Sequence, residues 1–167
     1  VVRYLGRRHI IWCAQSRGMP WEFHPEPGVV RWRVHFHSEP EVVFRFLATD
    51  QGRESFWAEE AKEIDGSISW AFPSGAAATK PVLEKSPSTR FVCEYFDDSV
   101  VEFDLEPDGR GGTDLTVTNR DVPEESIAEV TAGWVSVLMN MKAVVDNAVD
   151  LRNHEGDLSW DRGFVDN

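Results

Sequence analysis

The stretch "HFHSEPE", residues 35–41, sets His35 and His37 two apart with Glu39 and Glu41 close behind, side-chain types that could ligate zinc. The same spacing on the exposed face of a half-buried strand needs no metal, so no metal site is expected. Three other polar side chains stand in apolar surroundings: Cys93, Tyr95 and Asn119. A phenol and an amide can orient a ligand carbonyl or hydroxyl, although a buried Tyr can equally just satisfy its own hydroxyl. Acid–base catalysis needs a group poised near neutral pH, and no His alternates onto that inner face. No catalytic residue is therefore assigned and no cofactor is called for. The acidic sets Glu59, Glu60, Glu63 and Asp97, Asp98 lack the spacing of a calcium loop and read as solvated surface.

These side chains need elements to position them. "VVRWRVHFH" alternates Trp32, Val34 and Phe36 on one face with Arg31, Arg33, His35 and His37 on the other, as a half-exposed strand does. Ser38 is the expected N-cap of a following helix, with Pro40 in its first turn and Val43, Phe44 and Leu47 at helical spacing. Gly52 is expected to break this segment into two short helices ending near Trp57. Strands are predicted over 58–65, 67–73, 77–85, 90–97, 100–106 and 113–121, separated by segments such as Asp65-Gly66 and Asp97-Asp98-Ser99 with turn chemistry.

Between Pro123 and Leu151 apolar residues recur at three and four, including Ile127, Val130, Trp134, Leu138, Met141 and Val145. This predicts an amphipathic helix of roughly 40 Å, ended by Gly156, with Asn140 on its polar side. Its polar side is poor in Lys and Arg, which argues against a membrane-surface helix, and the sheet is the partner of matching length.

Alternation defines the sheet's inner face. A three-residue loop at Asp97-Asp98-Ser99 pairs Phe91, Cys93 and Tyr95 with Val101, Phe103 and Leu105; a two-residue loop would instead place Glu94 among apolar side chains, where desolvation is costly. The first register is preferred. Ile68, Trp70 and Phe72 extend this face from one strand, Leu115, Val117 and Asn119 from another, and Trp32, Val34 and Phe36 from the first. Trp134, Leu138 and Met141 on the helix oppose it, and Met139 joins Met141 as a candidate adaptable lining. An apolar sheet opposed by an apolar helix stripe describes a filled core as well as it describes a cavity.

The 167 residues suit one domain with a sizeable core, and seven Trp with ten Phe make the chain rich in large flat side chains. The formal net charge is −12. Residues 1–28, with four Arg against two Glu and crowded Pro and Gly, read as an N-terminal extension, either non-native in part with Met19 as the natural start or native and packing Ile10, Ile11 and Trp12 on the domain. Residues 29–167 then form the folded domain and carry thirteen Lys and Arg against twenty-seven Asp and Glu. So acidic a domain would be repelled by nucleic acid and anionic membranes. Cys13 and Cys93 form neither metal spacing nor a disulfide framework, and no apolar run is long enough to span a bilayer; a cytoplasmic location is expected.

The order strand, two short helices, six strands and one long helix resembles the START-like (SRPBCC, helix-grip) superfamily. Within it, "VRWRVHFHSEPEVVFRFLATDQGRESFW", "GGTDLTVTN" and "GWVSVLMNMKAVVDNAVDLRN" are similar to the bacterial branch of the activator-of-heat-shock-protein-ATPase homologues, over about Val29 to Asn167. The resemblance implies an α+β helix-grip fold, a curved seven-stranded antiparallel sheet wrapped around the C-terminal helix with a deep cavity between them.

Such a cavity makes a binder of a hydrophobic, lipid-like or aromatic small molecule the first functional expectation. A chaperone-ATPase co-regulator acting in the stress response, or another protein-interaction module, is the alternative. A cyclase-like or hydrolase-like enzyme using Tyr95 or Asn119 is a third. The aromatic tail, with Trp160, Phe164 and Val165, either docks locally or covers a second copy in a homodimer.

Overall fold

The structure, a computed structural model, is described over residues 26–166; residues 1–25 of the expected extension, with Cys13 and Met19, lie outside them. Seven strands form one antiparallel sheet: β1 (Val30–Phe36), β2 (Glu60–Ile64), β3 (Ser67–Ala71), β4 (Ala77–Ser86), β5 (Arg90–Glu94), β6 (Val100–Pro107) and β7 (Thr113–Arg120). Their order across the sheet is β1-β7-β6-β5-β4-β3-β2, so the first strand pairs with the last and the rest is a meander. Helices α1 (Pro40–Ala48) and α2 (Asp50–Glu54) follow β1, and α3 (Ile127–Asn147) follows β7 after a 3-10 turn at Glu124–Ser126.

The central hairpin has the register that keeps its carboxylates out of the core. Phe91 lies opposite Phe103 and Cys93 opposite Val101, while Glu94 pairs with Val100 and Glu102 with Val92 on the outer face. The backbone manages the tight connection with Asp97 and Asp98 both at positive φ, 55° and 57°, conformations Asp tolerates better than most residues. In β1, Trp32 and Val34 lie opposite Val117 and Leu115 of β7, so both strands carry apolar groups to the same side. In β4 the register shifts between Val82 and Glu84, a bulge where Leu83 turns outward.

Local details depart from the sequence expectations where tertiary contacts intervene. Glu39, not Ser38, is the N-cap of α1, and its side chain makes no capping bond; the Ser38 carbonyl instead accepts from Thr113 Oγ1 at 2.7 Å. The break between α1 and α2 falls at Thr49, whose extended backbone ends one helix while its hydroxyl accepts from Gly52 N to start the next. Helix α3 ends at Asn147 and not at Gly156: Ala148, at φ 55°, makes a left-handed C-cap and reverses the chain. Its 21 residues span about 32 Å, shorter than expected. Asn140 is buried and Met139 is 53% exposed, the reverse of their expected places, because the tail beyond α3 packs against the Asn140 side.

The corner between α1, α2 and β2 rests on two residues. A Cβ on Gly52 would sit 2.5 Å from Phe46 Cα and 2.6 Å from Phe46 O, so only glycine lets α2 pack this close to α1. Arg53 beside it is fully buried. Its guanidinium donates to Leu47 O (3.0 Å), to Ala61 O (2.9 and 3.1 Å) and to Asp50 Oδ1 (2.6 Å), joining α1, α2 and β2. Desolvation lowers its pKa and the neighbouring carboxylates of Asp50 and Glu63 oppose that, so the charge is held by its partners. Gly52→Ala is expected to cost about 2–3 kcal/mol of unfolding free energy in urea titration, since the clash is with backbone that cannot rotate away. Arg53→Met should cost about 3 kcal/mol through the orphaned carbonyls. A Gly52→Ala protein as stable as the parent would mean that the α1–α2 contact is soft.

Candidate functional site

The inner face of the sheet and the facing side of α3 come together as the sequence pattern indicated. Phe36, Ile68, Trp70, Phe91, Cys93, Val101, Phe103, Leu115, Val117, Asn119, Trp134, Leu138 and Met141 are buried, and Trp32, Val34, Phe72 and Tyr95 pack partly exposed against them. The residue at the centre is one that alternation did not single out. Trp57, in the short loop between α2 and β2, is 3% exposed, and its ring centroid lies 4.5 Å from Trp70, 5.4 Å from each of Tyr95, Phe103 and Trp134, and 5.8 Å from Phe56. These separations are those of aromatic pairs in contact, each adding about 0.5–1.5 kcal/mol beyond area burial. The indole of Trp57 thus occupies the space between sheet and helix. Its position in a loop left no periodic signal; the only sequence sign was the adjacent pair Phe56-Trp57 at a helix end.

The expected polar handles are inside and engaged. Tyr95 Oη accepts from Trp57 Nε1 at 3.0 Å, and Asn119 Oδ1 accepts from Trp134 Nε1 at 2.9 Å while its amide donates to Val100 O at 3.2 Å. Asn140, from α3, donates to Phe56 O at 2.8 Å. One donor stands apart: the buried indole N–H of Trp70 has no hydrogen-bond partner among the described residues. An orphaned buried donor costs on the order of 1–3 kcal/mol and calls for an explanation.

The environment resists charge. Burial pushes the Cys93 thiol up to about 12, the Arg53 charge pulling weakly the other way, and burial likewise raises the Tyr95 phenol above its ordinary value. Neither group is poised for proton transfer or nucleophilic attack near neutral pH.

The "HFHSEPE" residues assemble differently from the zinc pattern. His35 Nδ1 is 3.0 Å from Asp114 Oδ1 and its Nε2 is 3.8 Å from Asp108 Oδ2, while the His37 ring meets His35 edge-on at 5.6 Å. Asp108 is itself committed, accepting from the backbone N–H groups of Arg110 and Gly112, which hold its pKa below the ordinary carboxylate value. His35, His37, Asp108, Arg110 and Gly112 line a surface depression of about 250 Å³; Glu39 and Glu41 face a separate one of about 400 Å³ with Ser88 and Pro107. Among the described residues no group of three or more His, Cys, Asp or Glu is placed to hold a metal ion. No helix among them is long and apolar enough to cross a membrane.

A thiol raised from 9.0 to about 12 is favoured by the fold in its protonated form, so its contribution is intact below pH 9 and is lost as pH climbs toward 12. Unfolding free energy is expected to fall between pH 9 and about 11, and to fall less steeply in Cys93→Ala. Identical slopes in urea titrations of the two proteins would assign the loss to other groups.

Comparison with known proteins agrees with this architecture. A protein of unknown function, EF2215 from Enterococcus faecalis, superposes with a TM-score of 0.61 at 21% identity, over 74% of this chain and 75% of its own. The Aha1 dimer from Colwellia psychrerythraea gives 0.64 at 18% identity, over 71% and 96%. An AHSA1-like protein from Aeromonas hydrophila gives 0.58 at 20%, over 71% and 94%. No match was found among curated proteins. At these identities the likeness is one of fold, the START-like arrangement of sheet and helix. The sequence itself carries the family: residues 37–146, from the end of β1 to the last turn of α3, match Activator of Hsp90 ATPase homolog 1-like protein, and the chain belongs to that family.

Proposed function

We propose that this protein binds a neutral, planar, hydrophobic small molecule between the sheet and α3, with an acceptor atom of the ligand on the Trp70 indole N–H. The carrying observation is that buried N–H, without a partner among the described residues and set beside the Tyr95 ring in the aromatic interior. Aromatic rings on both sides favour a flat ligand, and the low polarity that raises the Cys93 and Tyr95 pKa values disfavours a charged one. The description of the family names an ATPase activator; the aromatic cluster around Trp57 is turned inward, which favours the interior reading over one acting through the surface.

Native mass spectrometry of freshly purified protein, followed by extraction of the unfolded chain, is expected to release an apolar compound. Added 1-indanone, a flat ketone, is expected to bind, and Trp70→Phe to weaken it about fivefold, the worth of one hydrogen bond, while leaving the hydrocarbon indane unaffected. Equal losses for both probes would remove the N–H from recognition.

A second reading concerns self-association. Val135 and Met139 form an exposed apolar strip on the outer side of α3, 43% and 53% exposed, and the Colwellia psychrerythraea relative is described as a dimer. We infer a homodimer across this strip. Sedimentation should then show a dimer that Met139→Glu converts to monomer; a dimer untouched by that charge would place the interface elsewhere.

A further inference from the structure

The loop that carries Trp57 is held from outside by residues the family match does not include. That match ends at Asp146, whereas the chain reverses at Ala148 and returns across the α2–β2 loop. Arg152, its side chain 8% exposed, donates through Nη1 to Ala58 O at 3.0 Å and through Nη2 to Glu54 O at 2.7 Å. Asp150 orients it, accepting at 2.6 Å from Nη2 and at 3.0 Å from Nε. Between those two carbonyls, Phe56 O accepts from Asn140, whose other amide atom accepts from Leu151 N at 2.8 Å. The carbonyls of 54, 56 and 58, spaced around Trp57, are thus all gripped by α3 and the segment after it. His154 adds a contact to Glu59, Nδ1 to Oε1 at 2.6 Å, and its Nε2 is 3.3 Å from Asp150 Oδ2. Further along, Ser136 holds Val165 O and Glu129 holds the Trp160 indole at 3.2 Å, so the segment is fastened at both ends.

We propose that residues 148–166 are an autoinhibitory strap: through Arg152 they hold Trp57 in the interior, and a flat aromatic ligand enters only when that hold is released. The inference rests on the interior-binding reading. Trp57 behaves as a tethered ligand, since its N–H reaches Tyr95 and its ring fills the aromatic box. A free ligand must displace it, and its apparent affinity is reduced by the fraction of molecules in which the loop is open. Arg152 sets that fraction, because a guanidinium can bridge two carbonyls in a way that a point charge cannot.

Hydrogen exchange on the full chain tests the strap without any ligand. In Arg152→Met, amides of residues 54–60 are expected to exchange roughly tenfold faster while β6 and β7 keep their protection, and Arg152→Lys should fall between it and the parent. Unchanged exchange at 54–60 in a folded Arg152→Met protein overturns the strap. So does an increase spread equally over β6 and β7, which would make Arg152 general cement. Titration with 1-indanone separates this from the parent reading: Arg152→Met should bind it about tenfold more tightly, and Trp57→Ala should bind it regardless of Arg152. If Trp57→Ala takes no indanone although exchange rises in Arg152→Met, interior binding is wrong and the hold on the loop stands. If Trp57→Ala takes it while Arg152→Met changes neither exchange nor affinity, the strap is wrong and interior binding stands.

Discussion

The interior of this protein is organised around one contact set, the Trp57 indole among rings from β3, the end of β5, β6 and α3. Because those rings come from elements distant in sequence, their mutual packing fixes how far α3 stands off the sheet. Close-packed interiors leave little freedom in such spacing, so the loop carrying Trp57 becomes as structural as the strands around it. The clamp on that loop and the burial of Arg53 serve the same end, since both tie the α2–β2 corner to its neighbours through backbone carbonyls.

Apart from the Trp70 N–H, the buried side-chain polar atoms among the described residues have hydrogen-bond partners. Asn119 and Asn140 are each used on both sides of their amides, and the Tyr95 hydroxyl accepts a hydrogen bond from the Trp57 indole. Buried dipoles demand such pairing, and it makes the Trp70 N–H conspicuous. The outer surface, by contrast, holds carboxylates in exposed pairs such as Lys62 with Glu60 and Arg33 with Asp114. Pairs so exposed contribute little to stability, so the balance of the fold rests on the core.

The family match takes in α1, α2, strands β2 to β7 and nearly all of α3, and stops before the chain turns back on itself. The segment beyond α3 is short on regular structure and yet well fastened, with a buried Ser159 and a run of side chain to backbone bonds. A segment of that kind adds few apolar contacts and can open locally at lower cost than a strand, which is the property a gate requires.

Much of this was legible in the chain. The β5–β6 register came from the cost of burying Glu94, the strands from period-two alternation between turn residues, and α3 from apolar residues at three and four. These signals are local: each depends on residues adjacent along the chain or across one tight turn. The inner face was correctly assigned to Phe91, Phe103, Trp134 and their neighbours for that reason. Trp57, Arg53 and Asn140 were not legible. A loop side chain has no periodicity to orient it, and a charged or amide group is buried only where carbonyls from several elements meet it. Nor was the end of α3, where Ala148 adopts a left-handed turn in place of the glycine eight residues on. Patterning along the chain was enough to say which surfaces are apolar and how the strands pair. Whether the space between those surfaces is open or occupied depended on three-dimensional packing, because the occupant arrives from a loop whose position is set by α3 and the tail together.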